Sequence, residues 1–128
     1  MQNTSQKGYI AFNLVEASRE AILRQFVPLY SMVVCHHITF EFGVLEGTAL
    51  PETPRSLEVV GYATDNTGVE ALVVAVNGEI RRSDGKVYHV TLSLAQGRKP
   101  VQSNDVIEKF GWTPCLQLAI SAEPRWNR

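Results

Sequence analysis

The chain has 128 residues, 45% of them hydrophobic and 20% charged, with 12 basic residues against 13 acidic ones. That length suits one domain of about 100–150 residues, able to bury a core without disulfide or metal staples. A formal net charge of −1 excludes a generic polyanion binder, which would be basic overall, and the hydrophobic content argues against intrinsic disorder. Residues 1–8 read as a polar tail with no apolar centre, so no secretory signal is expected there. No apolar run reaches the ~18–20 residues of a membrane span. Residues 9–122 are expected to form the single domain, and residues 123–128 a C-terminal tail. Residues 8–15, aromatic and apolar with some alternation, predict a first strand. From 16 to 26 the period turns helical. Ala17, Ile22, Leu23 and Phe26 share a face there, and Arg19, Glu20 and Arg24 face out. Glu16 suits the positive end of the helix dipole, and Pro28 closes the helix.

Residues 33–43 read as one long strand, with Ile38, Phe40 and Phe42 pointing one way and His37, Thr39 and Glu41 the other. Gly47, Pro51 and Pro54 mark a loop over 46–56. A strand over 57–63, a turn at Asp65-Asn66-Thr67-Gly68, and a dense Ala/Leu/Val strand over 69–76, expected to be buried on both faces, follow. Asn77-Gly78 and Asp84-Gly85 are turn signals. Residues 86–95 form the next strand, with Val90, Leu92 and Leu94 on one face and His89, Thr91 and Ser93 on the other. After a glycine/proline loop over 96–101, Ser103 or Asn104 is the expected cap of a short helix that runs through Phe110 and stops at Gly111. A last alternating strand covers 115–121. The sum is an α+β domain, mostly antiparallel strands with two helices. Each half carries one helix and one strand with a His-x-Thr tripeptide, an order compatible with two lobes facing each other.

Those tripeptides, His37-Ile38-Thr39 and His89-Val90-Thr91, use two of only three histidines. In a strand, residues i and i+2 share a face, so each motif presents an imidazole beside a hydroxyl while the residue between them anchors the core. Two such pairs facing each other suit phosphodiester cleavage. One imidazole takes a proton from the attacking oxygen, and the other gives one to the leaving oxygen. Threonine hydroxyls donate to the non-bridging phosphate oxygens. No metal or other cofactor is required. His36 points to the opposite face of a regular strand, so a packing or surface role is expected for it. For the same reason Cys35-His36-His37 cannot chelate one ion. Cys35 and Cys115 form no zinc or redox pattern, and a reduced, cytoplasmic setting is the simpler reading.

The paired His-x-Thr strands resemble the 2H phosphoesterase superfamily, which includes LigT-like RNA 2′,3′-cyclic phosphodiesterases, the cyclic phosphodiesterase domains of tRNA ligases, and small bacterial and phage relatives. The resemblance implies a bilobal domain with a central cleft lined by both motifs. His37 and His89 would be the acid/base pair, and Thr39 and Thr91 the phosphate-holding hydroxyls. Around these, Glu41 and Ser93 continue the two site faces by one step. Arg81, Arg82 and Lys86 precede the second motif and offer positive charge. Arg98, Lys99 and the helix start near Ser103 offer a weaker anion site. Tyr9 is a candidate to stack on a base, whereas Phe12, Tyr88 and Trp112 read as packing residues. No nucleotide-binding glycine loop or serine elbow occurs. The expected ligand is a nucleotide or short RNA-type phosphodiester rather than a duplex, which would need a basic surface. A binding module using the same cleft without turnover is the alternative.

Overall fold

In the computed structural model residues 7–128 are described; the N-terminal polar tail, as far as residue 6, lies outside them. Strand β1 (Lys7–Leu14) leads into helix α1 (Glu16–Gln25), then β2 (Met32–Val33), β3 (His37–Leu45), β4 (Leu57–Thr64), β5 (Val69–Val76), β6 (His89–Leu94), helix α2 (Gln102–Phe110), β7 (Thr113–Ala119) and β8 (Ala122–Asn127). The strands form one antiparallel sheet in the order β7-β4-β5-β6-β3-β1-β8, with β2 added against β6. The sheet curls into a half-barrel, so the fold is α+β with strands dominant.

Two apolar clusters sit on opposite faces. One holds Phe12, Ile22 of α1, Ile38, Leu72, Val74, Val90 and Leu92. The other holds Val69, Ala71 and Val73 with Val106 and Ile107 of α2. β5 alternates between the two clusters, which is why all eight of its residues are buried. Because Ile38 and Val90 point into the first cluster, the alternation of a strand sends their flanking histidines and threonines to the other face. Phe12 and Tyr88 belong to that first core, as expected.

Several local expectations are corrected. The single strand expected over 33–43 is split, because Cys35 adopts a left-handed conformation (φ 43°) between β2 and β3. Arg19 does not face out: its Nε donates to the Cys35 carbonyl at 3.1 Å. Ala17, placed on the buried face of α1, is exposed. Neither Ser103 nor Asn104 caps α2, which begins at Gln102 with Val101 at the cap position and no side-chain cap. The Ser103 hydroxyl is instead 2.9 Å from that of Thr91. Gly111 ends α2 as expected, at φ 72°. Residues 123–127 are not a tail. They form most of edge strand β8, which pairs with β1 and is pinned where Trp126 Nε1 donates to the Val44 carbonyl at 2.9 Å. Among the described residues no helix is long and apolar enough to cross a membrane. Both cysteines are free thiols.

Candidate functional site

β3 and β6 are neighbours, and their register places Ile38 opposite Val90. Continuing that antiparallel register puts His37 and Thr91 on one side of the pair and Thr39 and His89 on the other. The histidine of each motif therefore sits beside the threonine of the other, about a local pseudo-twofold axis. All four side chains line one pocket of about 180 Å³. Tyr9 and Phe42 add an aromatic wall, Arg82 a cation, and Pro100, Val101 and Asn104 the border beside α2.

Tyr9 and Arg82, expected at the site from sequence, are thus brought to it. Arg81, Glu41 and Ser93 are not. Arg81 is exposed and its Nη1 donates to the Gly85 carbonyl at 2.7 Å. Glu41 is exposed because the β1–β3 register slips between Ile10↔Glu41 and Ala11↔Thr39, a bulge that reverses the alternation. The same slip turns Phe42 into the pocket. Ser93 is fully buried beside the Glu70 carboxylate and accepts from Tyr30 N–H at 3.2 Å. The Glu70 carboxylate also accepts from Tyr62 O–H and from Leu29 N–H, so this network ties the α1–β2 connection to the sheet. Arg98 is committed elsewhere, to Asp65 at 2.8 Å and to Gln102 at 3.2 Å. The Arg98 bond, with the Thr67 and Val69 N–H groups, outweighs burial and holds the Asp65 carboxyl below its ordinary range. Trp112 packs on Gly61, as a sheet-packing residue should.

Arg82 is almost fully buried, which an arginine tolerates only when paired. Asp84 grips it through two bonds, Nε–Oδ1 at 3.1 Å and Nη2–Oδ2 at 3.0 Å. Partial burial pushes the Asp84 carboxyl up, but the Arg82 bonds outweigh it and hold the group below its usual range. The guanidinium also lies over the Phe42 ring, 5.4 Å from its centroid. Among the described residues Nη1 has no protein partner.

The two imidazoles are held differently. His89 Nδ1 is 2.8 Å from the Val87 carbonyl, an acceptor only, so Nδ1 carries the proton and the neutral ring presents a lone pair on Nε2. Burial, reinforced by Arg82, lowers the His89 pKa although the Val87 carbonyl pulls the other way. His37 Nδ1 is 2.9 Å from His36 Nδ1, with the rings edge to face. Burial, then His36, then His89 push the His37 pKa down to about 4. Tyr9 packs on the outer side of His37, with ring centroids 5.2 Å apart.

His36 is therefore not turned away from His37 as a regular strand requires. Between Val33↔Ser93 and Ile38↔Val90 the register slips by two residues, and the left-handed Cys35 takes up the slack. The Thr91 hydroxyl lies 2.9 Å from Ser103 Oγ. The Thr39 hydroxyl bonds nothing among the described residues. Asn104 Nδ2 donates to the Val101 carbonyl at 3.3 Å, while its buried Oδ1 has no partner. Phe42, Asn104 and His36 were missed from sequence because a bulge, a helix start and a kink place them. Only the odd Cys-His-His run hinted at one of the three. Among the described residues no three His, Cys, Asp or Glu side chains gather as a metal site would require. No known family, curated protein or solved structure matches the chain.

Proposed function

We propose that the protein is a metal-independent phosphodiesterase of the 2H type, cleaving a 2′,3′-cyclic phosphate end or a cyclic nucleotide or oligonucleotide by two-histidine acid/base catalysis. The observation that carries this reading is the convergence of both His-x-Thr motifs on one pocket from adjacent strands. The neutral His89 ring, with its Nδ1 proton spent on Val87, is the base at the attacking hydroxyl or water. His37 is the acid at the leaving oxygen. The Thr39 proton is free to meet a non-bridging oxygen, the Thr91 hydroxyl turns to the ligand by giving up its long bond to the Pro100 carbonyl at 3.4 Å, and Arg82 Nη1 supplies the positive charge. The pocket volume is below the ~300–1,000 Å³ of a drug-sized site. That suits a ribose phosphate with the base on the Tyr9–Phe42 wall, rather than a long strand lying across the face.

The test is a panel of 2′,3′-cyclic mononucleotides, short cyclic-ended RNAs and cyclic di- and trinucleotides, run with and without a chelator. Cleavage that survives the chelator and falls by roughly 10²–10⁴ in each of His37→Ala and His89→Ala is the expected result. Activity restored by a divalent ion, or unchanged in both variants, overturns it. Tight binding of a panel member without turnover makes the pocket a binding module instead.

A further inference from the structure

The two imidazoles of the pocket pose a chemical problem. His89 is locked by Val87 into one neutral tautomer, the form a base needs. His37 has no such carbonyl, and its environment disfavours the imidazolium that a solitary histidine acid would require. What it has is a second imidazole on Nδ1, that of His36, whose residue is exposed to solvent.

We propose that His36 is a positioning residue and proton relay for His37, passing protons between solvent and the pocket through the Nδ1–Nδ1 contact. This rests on the phosphodiesterase reading and assigns a role to the one histidine that reading leaves unused. Two neutral arrangements of the pair are available. In one, His37 Nδ1–H donates to His36 and the pocket meets a lone pair on His37 Nε2. In the other, His36 Nδ1–H donates to His37, and the pocket meets Nε2–H. The second arrangement is the acid.

Turnover then balances. Solvent protonates His36 at Nε2, and the His36 Nδ1 proton moves to His37 Nδ1. The His37 Nε2 proton moves to the leaving oxygen as its bond to phosphorus breaks. His37 is left neutral with Nδ1–H. His89 Nε2 has meanwhile taken the proton of the attacking oxygen. The pair now holds its other tautomer, and the reset runs back along the same line: the His89 Nε2 proton passes through water in the emptied pocket to His37 Nε2, the His37 Nδ1 proton returns to His36 Nδ1, and His36 Nε2 releases its proton to solvent. One proton enters and one leaves through His36 in each turnover, and all three imidazoles regain their starting tautomers.

The backbone is built for this pair. A non-glycine residue in the left-handed region costs about 1–2 kcal/mol, and such outliers persist where surrounding structure holds them. Here Cys35 N–H donates to the Thr91 carbonyl at 2.8 Å, Arg19 Nε to the Cys35 carbonyl at 3.1 Å, and Leu14 N–H to the His36 carbonyl at 2.9 Å. The groups bearing on the pair are therefore Arg19 from α1, Tyr9 from β1 and His89 from β6, with Arg82 acting on His89. Cys35 itself points into the core.

The test uses the full-length chain and three variants: His36→Ala, His36→Asn and His37→Ala. Without substrate, ring-nitrogen NMR of the wild type is expected to show His37 Nδ1 averaged between protonated and unprotonated types, with His89 Nδ1 fully protonated. In His36→Ala the averaging at His37 disappears. With the best cyclic substrate, kcat falls by roughly 10–100-fold, the range for removing a partner that sets a functional imidazole's tautomer, while KM is unchanged. The basic limb of the pH–rate profile moves to lower pH in both His36 variants. Added imidazole restores His36→Ala in proportion to its concentration and leaves His37→Ala dead. His37 fixed in one tautomer in the wild type, or His36 variants with wild-type kcat and pH profile, overturns the relay. An averaged His37 signal in a protein that cleaves no panel member overturns the phosphodiesterase reading and leaves the histidine pair standing.

Discussion

Arg82 and Asn104 are the residues whose partners are most visibly incomplete, and each leads to a binding prediction. The Arg82 guanidinium is buried by Phe42 and gripped by Asp84, so the fork is already desolvated and oriented before a ligand arrives. A lysine cannot hold both Asp84 oxygens and still present a planar N–H to a phosphate oxygen. Arg82→Lys is expected to raise KM by about 10-fold or more, since a hydrogen bond to a charged group is worth ~1.5–3 kcal/mol; steady-state kinetics checks this. Asn104 Oδ1 is a buried acceptor without a donor, while the Nδ2 bond to Val101 fixes which end of the amide faces inward. An unmet buried acceptor costs ~1–3 kcal/mol, so a ligand O–H or N–H that meets it recovers much of that. Asn104→Ala is expected to weaken ligand binding about 10-fold without lowering Tm, with calorimetric titration and thermal melting as the two readouts. A loss of stability with unchanged binding would make Asn104 a structural residue of the helix start.

At the scale of elements, alternation reports faces well and interruptions poorly. The faces of β5 follow from two-residue periodicity, and Val90 and Leu92 of β6 enter the first core as that periodicity requires, but a register slip between Glu70↔Ser93 and Ala71↔Thr91 sends Leu94, expected on the same face, to the second cluster instead. On β3 the same rule fails twice, at the Cys35 kink and at the bulge beside Phe40, and each failure alters the pocket. Nothing in the composition of residues 33–43 announces either break, because both are imposed by partners distant in sequence, Thr91, Arg19 and β1. Glu123, Pro124, Arg125 and Asn127 hide β8 for a similar reason. An edge strand is permitted proline and charge, so its sequence reads as a tail. One close approach does constrain its residue type. A Cβ on Gly61 of β4 would stand 2.1 Å from Trp112 Cε3, inside the ring that follows α2. Gly61→Ala is therefore expected to destabilise the fold by ~1–3 kcal/mol, the range for overpacking a filled core, as a lower urea midpoint with an unchanged slope. An unchanged midpoint would mean that Trp112 moves away freely.

At the scale of the whole molecule, a near-zero net charge conceals groups whose ionisation the fold resists. The linkage is signed. His37, near 4 in the fold against an ordinary 6.5, and His89, also lowered, both bind protons more readily in the unfolded chain. Their contribution to stability is present above about pH 6.5 and is lost as the pH falls toward 4. Asp65 and Asp84 add a second, more acidic loss, since both stay ionised in the fold below their ordinary 3.8. The composition told the sign balance but not this asymmetry, because burial and partner geometry set it. Urea midpoints at pH 7, 6, 5 and 4 are expected to fall steadily, most of all between 6.5 and 4. The double variant His37→Gln/His89→Gln removes the two groups whose pKa the fold lowers, so its curve should be nearly flat there and fall only in the carboxylate range. Asp65→Asn should instead keep the first fall and soften the second. A double variant that still tracks the wild type between pH 6.5 and 4 would mean that the pocket histidines titrate alike in both states, and that the pocket is wet enough to hold an imidazolium.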